Sequence, residues 1–115
     1  MTTPTTGIWT YRETIRAQPD LSGYKVEARD GSIGKIDKAN NDVGSACIVV
    51  DTGPWILGKK VMIPAGTVRD IDPDTETVFV DRTKDEIKNA PEYDDDRFND
   101  PKYREDISRY YGSPR

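Results

Sequence analysis

From Tyr24 to Arg82 the apolar residues come in short runs, broken every few positions by glycine, proline, asparagine or aspartate. Tyr24 to Ala28 alternates apolar and polar, and Arg29-Asp-Gly-Ser32 follows with the Asp-Gly pair of a tight hairpin turn. Ser32 to Ala39 predicts a second strand, with Gly34 between Ile33 and Ile36 where a side chain would crowd a bend or bulge. Ala46 to Val50 is a continuous apolar run, the pattern of a strand covered on both faces. Lys60 to Ile63 reads as another strand stopped by Pro64. Val68–Ile71 and Thr77–Val80 form a last pair around Asp72-Pro-Asp74. Five or six closely spaced strands without a long helix among them predict a mainly β architecture. A small antiparallel barrel or tightly curled sheet suits it, since closure would hide edges that so short a chain cannot otherwise cover.

The flanks are patterned differently. Residues 1–23 form a leader that opens Thr/Pro-rich and then carries Ile8, Trp9, Tyr11 and Ile15, with spacings that suit either a strand or a helix. Thr10 and Glu13 have the spacing of a capping box. Trp9 and Tyr11 are expected to dock on the strands that follow. After the strands, Thr83-Lys-Asp-Glu86 is a second capping box, leading a two-turn helix through Ile87 and Ala90 to Pro91. An acidic linker follows, and Asp100-Pro101 starts another helix with aspartate at the N-cap and proline at the first helical position. Tyr103, Ile107 and Tyr110 or Tyr111 share one face of it, and Gly112 caps it. So short a helix needs a surface, either its own barrel or a partner's.

Of the 115 residues, 34% are hydrophobic and 33% charged, which suits a small core with polar extensions. Seventeen basic residues against 21 acidic ones leave a net charge of −4, unfavourable for phosphate backbones. Nucleic-acid binding is therefore unexpected except through a local patch. The absence of histidine rules out Ser-His-Asp and Cys-His nucleophile systems. One cysteine, Cys47, permits neither an intramolecular disulfide nor a Cys/His zinc site. No segment reaches the roughly 20 apolar residues of a membrane helix, and Met1–Thr6 lacks signal-peptide character. The expected location is the cytoplasm, with no membrane insertion.

The candidate chemistry is thin. Asp94-Asp-Asp96 with Glu92, and Asp70, Asp72 and Asp74, are carboxylate groups of the kind Ca²⁺ or Mg²⁺ favours, but neither has the EF-hand spacing. Solvated linker and turn are the preferred readings, and no metal or cofactor is expected. Cys47 lies among apolar neighbours as a small hydrophobe. Gly53 and Gly58 match no phosphate-cradling pattern. Trp55, Ile56 and Leu57 are either core or an exposed patch for dimerisation. The candidate interface residues are thus Trp9, Tyr11, Trp55, Ile56, Leu57, Tyr103, Ile107, Tyr110 and Tyr111. The function expected is a non-enzymatic interaction module that associates with itself, most simply as a homodimer.

Residues 24–91 resemble a PRC-barrel domain, the fold of the cytoplasmic part of the photosynthetic reaction-centre H subunit and of the C-terminal half of a ribosome-maturation factor. The resemblance rests on Gly23-Tyr-Lys-Val26, Asp30-Gly-Ser-Ile-Gly-Lys-Ile36 and Ile48-Val-Val50. Val61-Met-Ile-Pro64, Val78-Phe-Val-Asp81, Thr83-Lys-Asp85 and Ala90-Pro91 complete it. Residues 92–115, acidic and ending in Tyr110-Tyr-Gly112, resemble the tail of stand-alone bacterial members. The resemblance implies a PRC-type barrel of five to six strands that often self-associates and has no catalytic residues to carry over. The chain has neither the H subunit's membrane helix nor the ribosomal factor's upstream domain, so neither role transfers intact. An RNA- or ribosome-associated assembly factor is the alternative, by analogy of fold alone.

Overall fold

The structure is a computed structural model and describes residues 8–12, 15, 20–42, 44–53 and 59–112. Six strands form one sheet: β1 (Lys25–Ala28), β2 (Gly31–Asn40), β3 (Cys47–Asp51), β4 (Lys60–Pro64), β5 (Val68–Asp72) and β6 (Thr77–Val80). Their order across the sheet is β4-β3-β2-β1-β6-β5. Helix α1 (Lys84–Lys88) follows β6, and α2 (Pro101–Gly112) closes the described chain. The architecture is mainly β, with a short helix after the last strand and a C-terminal helix, as the pattern predicts.

Two features depart from the expected antiparallel barrel, and one corner explains both. Between β4 and β5 a single 3-10 turn, Ala65–Thr67, redirects the chain without reversing it. All other consecutive strands are antiparallel neighbours. Losing one reversal brings β6 back beside β1 in the same direction, so this pair is parallel, with Lys25 opposite Thr77 and Glu27 opposite Phe79. The sheet is consequently mixed. It is also not closed, since β4 and β5 run in the same sense and a parallel pairing would need a crossover of a dozen or more residues. The three-residue corner cannot supply one. Two edges therefore remain.

Pro64 is the last residue of β4 rather than its terminator. Ala65 N–H donates to Ala46 O at 3.0 Å, which fixes the hydrogen-bonding sense so that Pro64 turns its nitrogen away from β3. An edge position of this kind loses nothing by lacking an N–H. Gly34 sits where φ is +146°, and a Cβ there would overlap the Asp51 carbonyl of the next strand. Only glycine lets β2 and β3 approach so closely.

β3 carries the packing. Ile48 and Val50 enter an inner cluster with Leu21, Val26, Ile33 and Val78, while Cys47 and Val49 enter an outer cluster with Met62 and α2. These four of the five β3 residues are fully buried, so the strand is covered on both faces up to Asp51. The chain after β6 links the two clusters. The Thr83 hydroxyl accepts from Glu86 N–H at 3.2 Å and the Glu86 carboxylate accepts from Thr83 N–H at 2.9 Å, the capping box that starts α1. Ile87 then joins Ile63 and Val68 in the inner cluster, and six residues later Tyr93 joins the outer one. Among the described residues no helix is long and apolar enough to cross a membrane.

Candidate functional site

Helix α2 begins where the sequence places it: the Asp100 carboxylate accepts from Lys102 N–H at 3.0 Å. Its stripe of Tyr103, Ile107 and Tyr111 is 0–1% exposed and lies on this chain's own sheet, against Cys47, Val49 and Met62. Trp9 completes the cover, 6% exposed, with its indole N–H on the Ser108 hydroxyl at 2.5 Å. The leader is tied to the sheet by Ala46 N–H on Trp9 O and Gly66 N–H on Ile8 O, both at 2.8 Å.

Hydroxyl groups in this region hold the backbone together. Tyr103 donates to Pro91 O at 3.0 Å, and Tyr110 donates to Glu86 O at 2.6 Å while its ring stands edge-on to Tyr111. Burial, above all, holds the Tyr103 and Tyr111 phenols well above the ordinary tyrosine range. Tyr11 packs against the inner cluster. Burial pushes its phenol up to about 12, with a smaller contribution from Cys47.

The expected interface residues are therefore divided by the fold. Trp9, Tyr103, Ile107 and Tyr111 are spent on intramolecular packing, so α2 is a cover for its own sheet and not a free arm. Tyr11 and Tyr110 are half-buried at the margins. Trp55, Ile56 and Leu57 lie outside the described residues. So does Glu13 of the first expected capping box, and the Thr10 hydroxyl instead accepts from Gly44 N–H at 3.0 Å.

The acidic linker is more structured than its composition suggests. The Asp94 carboxylate accepts from Asp96 N–H at 3.0 Å and starts a single 3-10 turn over Asp95–Arg97. Asp95 stands 3.7 Å from both Lys38 and Lys60. The Asp70 carboxylate accepts from Ile71 N–H within β5, and the Asp72 carboxylate accepts from Asp74 N–H in the turn that follows. These carboxylates satisfy nearby N–H groups and ammonium groups, and among the described residues no three metal-ligating side chains converge. Cys47 is buried with a free thiol. Burial pushes that thiol up, against an opposing pull from the Arg104 guanidinium.

Sequence reasoning missed Arg104. Its guanidinium donates to Phe98 O at 2.8 Å and Ser45 O at 2.9 Å, touches the Cys47 sulfur at 3.5 Å, and stacks on the Trp9 and Phe98 rings. It joins leader, sheet, linker and α2 at one point. Those partners come from sequence positions 9, 45, 47 and 98, so no local pattern marks it. Tyr93 was missed as well. A lone aromatic in an acidic run is the one signal it offered.

Between the start of β4, the end of α1 and the linker lies a cleft of about 600 Å³. Val61, Ala90, Pro91 and Tyr93 supply its apolar surface, and Lys59, Lys88, Glu92 and Arg97 stand among its charged groups. Lys59 pairs with Glu92 at 3.3 Å, both side chains largely exposed. At the same end of the sheet, Thr52 gives both its N–H and its hydroxyl to Lys59 O, at 3.2 and 2.5 Å. The roots of the β3–β4 hairpin are thereby fixed beside the cleft.

No family model matches the chain, and no curated protein matches it. Among solved structures it is similar to a protein described as the 16S ribosomal RNA processing protein RimM of Pseudomonas aeruginosa, with 26% identity and a TM-score of 0.47. The match covers 56% of this chain and 42% of that one, so the chain spans less than half of that protein's length.

Proposed function

We propose that the chain is a non-enzymatic protein-interaction module whose first partner is a second copy of itself, joined through the end of the β3–β4 hairpin. The observation that carries this reading is the double anchorage of Thr52 on Lys59 O. It joins the two described ends of the hairpin, Thr52 and Lys59, and the sequence between them contains Trp55-Ile56-Leu57. Its described roots, Asp51 and Lys59, are exposed. An apolar run with polar, exposed roots suits a contact completed by another chain, with tryptophan as its anchor. The commitment of α2 to its own sheet supports the same choice, because it removes Tyr103, Ile107 and Tyr111 from the candidates for contact with another chain. The Tyr103 and Tyr110 hydroxyls and Arg104, which bond backbone carbonyls, support a structural rather than a chemical use of polar groups.

Sedimentation velocity at about 50 µM tests this, a concentration at which a homodimer of micromolar affinity is mostly associated. The wild-type chain should sediment as a dimer, and a Trp55→Ser, Leu57→Ser double variant with an unchanged circular-dichroism spectrum as a monomer. A monomeric wild type, or a double variant that still dimerises, would overturn the reading.

A further inference from the structure

The cleft beside β4 has fixed walls. Ile87 belongs to the inner cluster and Tyr93 to the outer one, so residues 88–92 cross the end of the sheet between them. Two tyrosines of α2 hold that crossing: the Tyr110 hydroxyl donates to Glu86 O at 2.6 Å and the Tyr103 hydroxyl to Pro91 O at 3.0 Å. A surface held in this way loses little freedom when it is covered.

Its charges are balanced against one another. Lys59 pairs with Glu92, Lys60 with Asp37 and Asp95, and Arg97 with Asp94. The attraction of the cleft therefore lies in its apolar part. Val61, Ala90 and Pro91 are half-buried and still present apolar surface, and the Tyr93 ring adjoins them. The volume of about 600 Å³ falls within the roughly 300–1,000 Å³ of pockets that enclose a compact, mainly apolar group.

Lys59 lines this cleft and is also a root of the β3–β4 hairpin, two residues after Leu57. The apolar segment and the apolar hollow thus adjoin one another in the chain. A two-fold pair of identical chains brings the same patch of each copy together, so that what one copy offers the other must receive. Such a patch needs both a projection and a hollow.

We infer that the pairing of two chains is reciprocal: each copy seats Trp55-Ile56-Leu57 in the other copy's cleft, against Val61, Ala90, Pro91 and Tyr93. Tryptophan is the preferred anchor of such a hollow, and the paired charges of the rim keep water from it. The inference rests on the self-association proposed for this chain and adds the surface that receives the hairpin end.

Sedimentation and cross-linking of the full chain test it. Ala90→Glu sets a charge in the cleft and should weaken dimerisation at least about ten-fold, with an unchanged circular-dichroism spectrum. Lys59→Gln with Glu92→Gln removes a pair on the rim and should change dimerisation by less than about three-fold. A chain carrying Ile56→Cys and Asn89→Cys, treated with a short bismaleimide, should run on a denaturing gel as a covalent dimer whose peptides are joined between positions 56 and 89. Cys47 is buried and stays out of that reaction, and Asn89 is exposed, so this arm stands even where Ala90→Glu fails to fold.

A cross-linked monomer would place each segment in its own cleft, and a dimer without the 56–89 link, or no cross-linked product, would place it elsewhere. Each of these overturns the inference. So does a folded Ala90→Glu that dimerises like the wild type, or a rim variant that no longer dimerises. With a dimeric wild type these results leave self-association in place, whereas a monomeric wild type removes self-association and the reciprocal seating together.

Discussion

Replacing Arg104 by alanine removes a side chain that touches leader, sheet, linker and α2 together. Two charge-assisted hydrogen bonds to the carbonyls of Phe98 and Ser45 are lost, as are contacts with the Trp9 and Phe98 rings at 4.8 and 5.3 Å. Hydrogen bonds to charged groups contribute about 1.5–3 kcal/mol each when buried, and a cation over an aromatic ring about 0.5–1 kcal/mol near the surface. Arg104 is only half-buried, so water can reach part of what it leaves behind. The expected cost is accordingly about 2–4 kcal/mol rather than the full sum of these contributions. Urea unfolding followed by tryptophan fluorescence measures it. Arg104→Lys separates the parts, since an ammonium keeps the charge but cannot reach both carbonyls in one plane. It should lose about 1–2 kcal/mol. A loss below about 0.5 kcal/mol for alanine, within the range of an ordinary surface change, would refute the argument, as would a lysine variant equal to wild type.

Gly34→Ala should be strongly damaging, because the left-handed φ and the overlap with the Asp51 carbonyl act together. A loss above about 2 kcal/mol, or insoluble expression, is expected, and urea unfolding of any soluble fraction reads it. Stability should also fall in alkali. The Tyr11 phenol is raised by burial from 10.0 to about 12, so the folded state disfavours tyrosinate. Its contribution is fully present below pH 10 and is lost as the pH rises through the folded value. Tyr93, Tyr103 and Tyr111 shift in the same direction. Melting temperatures recorded between pH 8 and 12, with tyrosinate absorbance beside them, should drop above pH 10. A flat profile through pH 11.5 would refute that assignment.

Local chemistry was legible along the chain wherever one short segment sufficed to specify it. The capping box at Thr83 and Glu86, the Asp100 cap and the doubly buried run Ala46–Val50 all depend on residues within a turn or a strand of one another. Backbone hydrogen bonding and apolar periodicity determine such features before any tertiary contact forms. The stripe of Tyr103, Ile107 and Tyr111 was equally plain as a stripe. What covers it was not, since a helix face states only that it needs an apolar partner, and Cys47, Val49, Met62 and Trp9 become that partner through the fold. The parallel β1–β6 pair has the same origin. Strand direction depends on whether the chain reverses at Ala65–Thr67, and the path of three residues in space is not recorded in their hydropathy. Arg104 belongs to the tertiary structure alone: its partners are scattered over some ninety positions, and only the closing of α2 onto the sheet brings them within hydrogen-bonding distance.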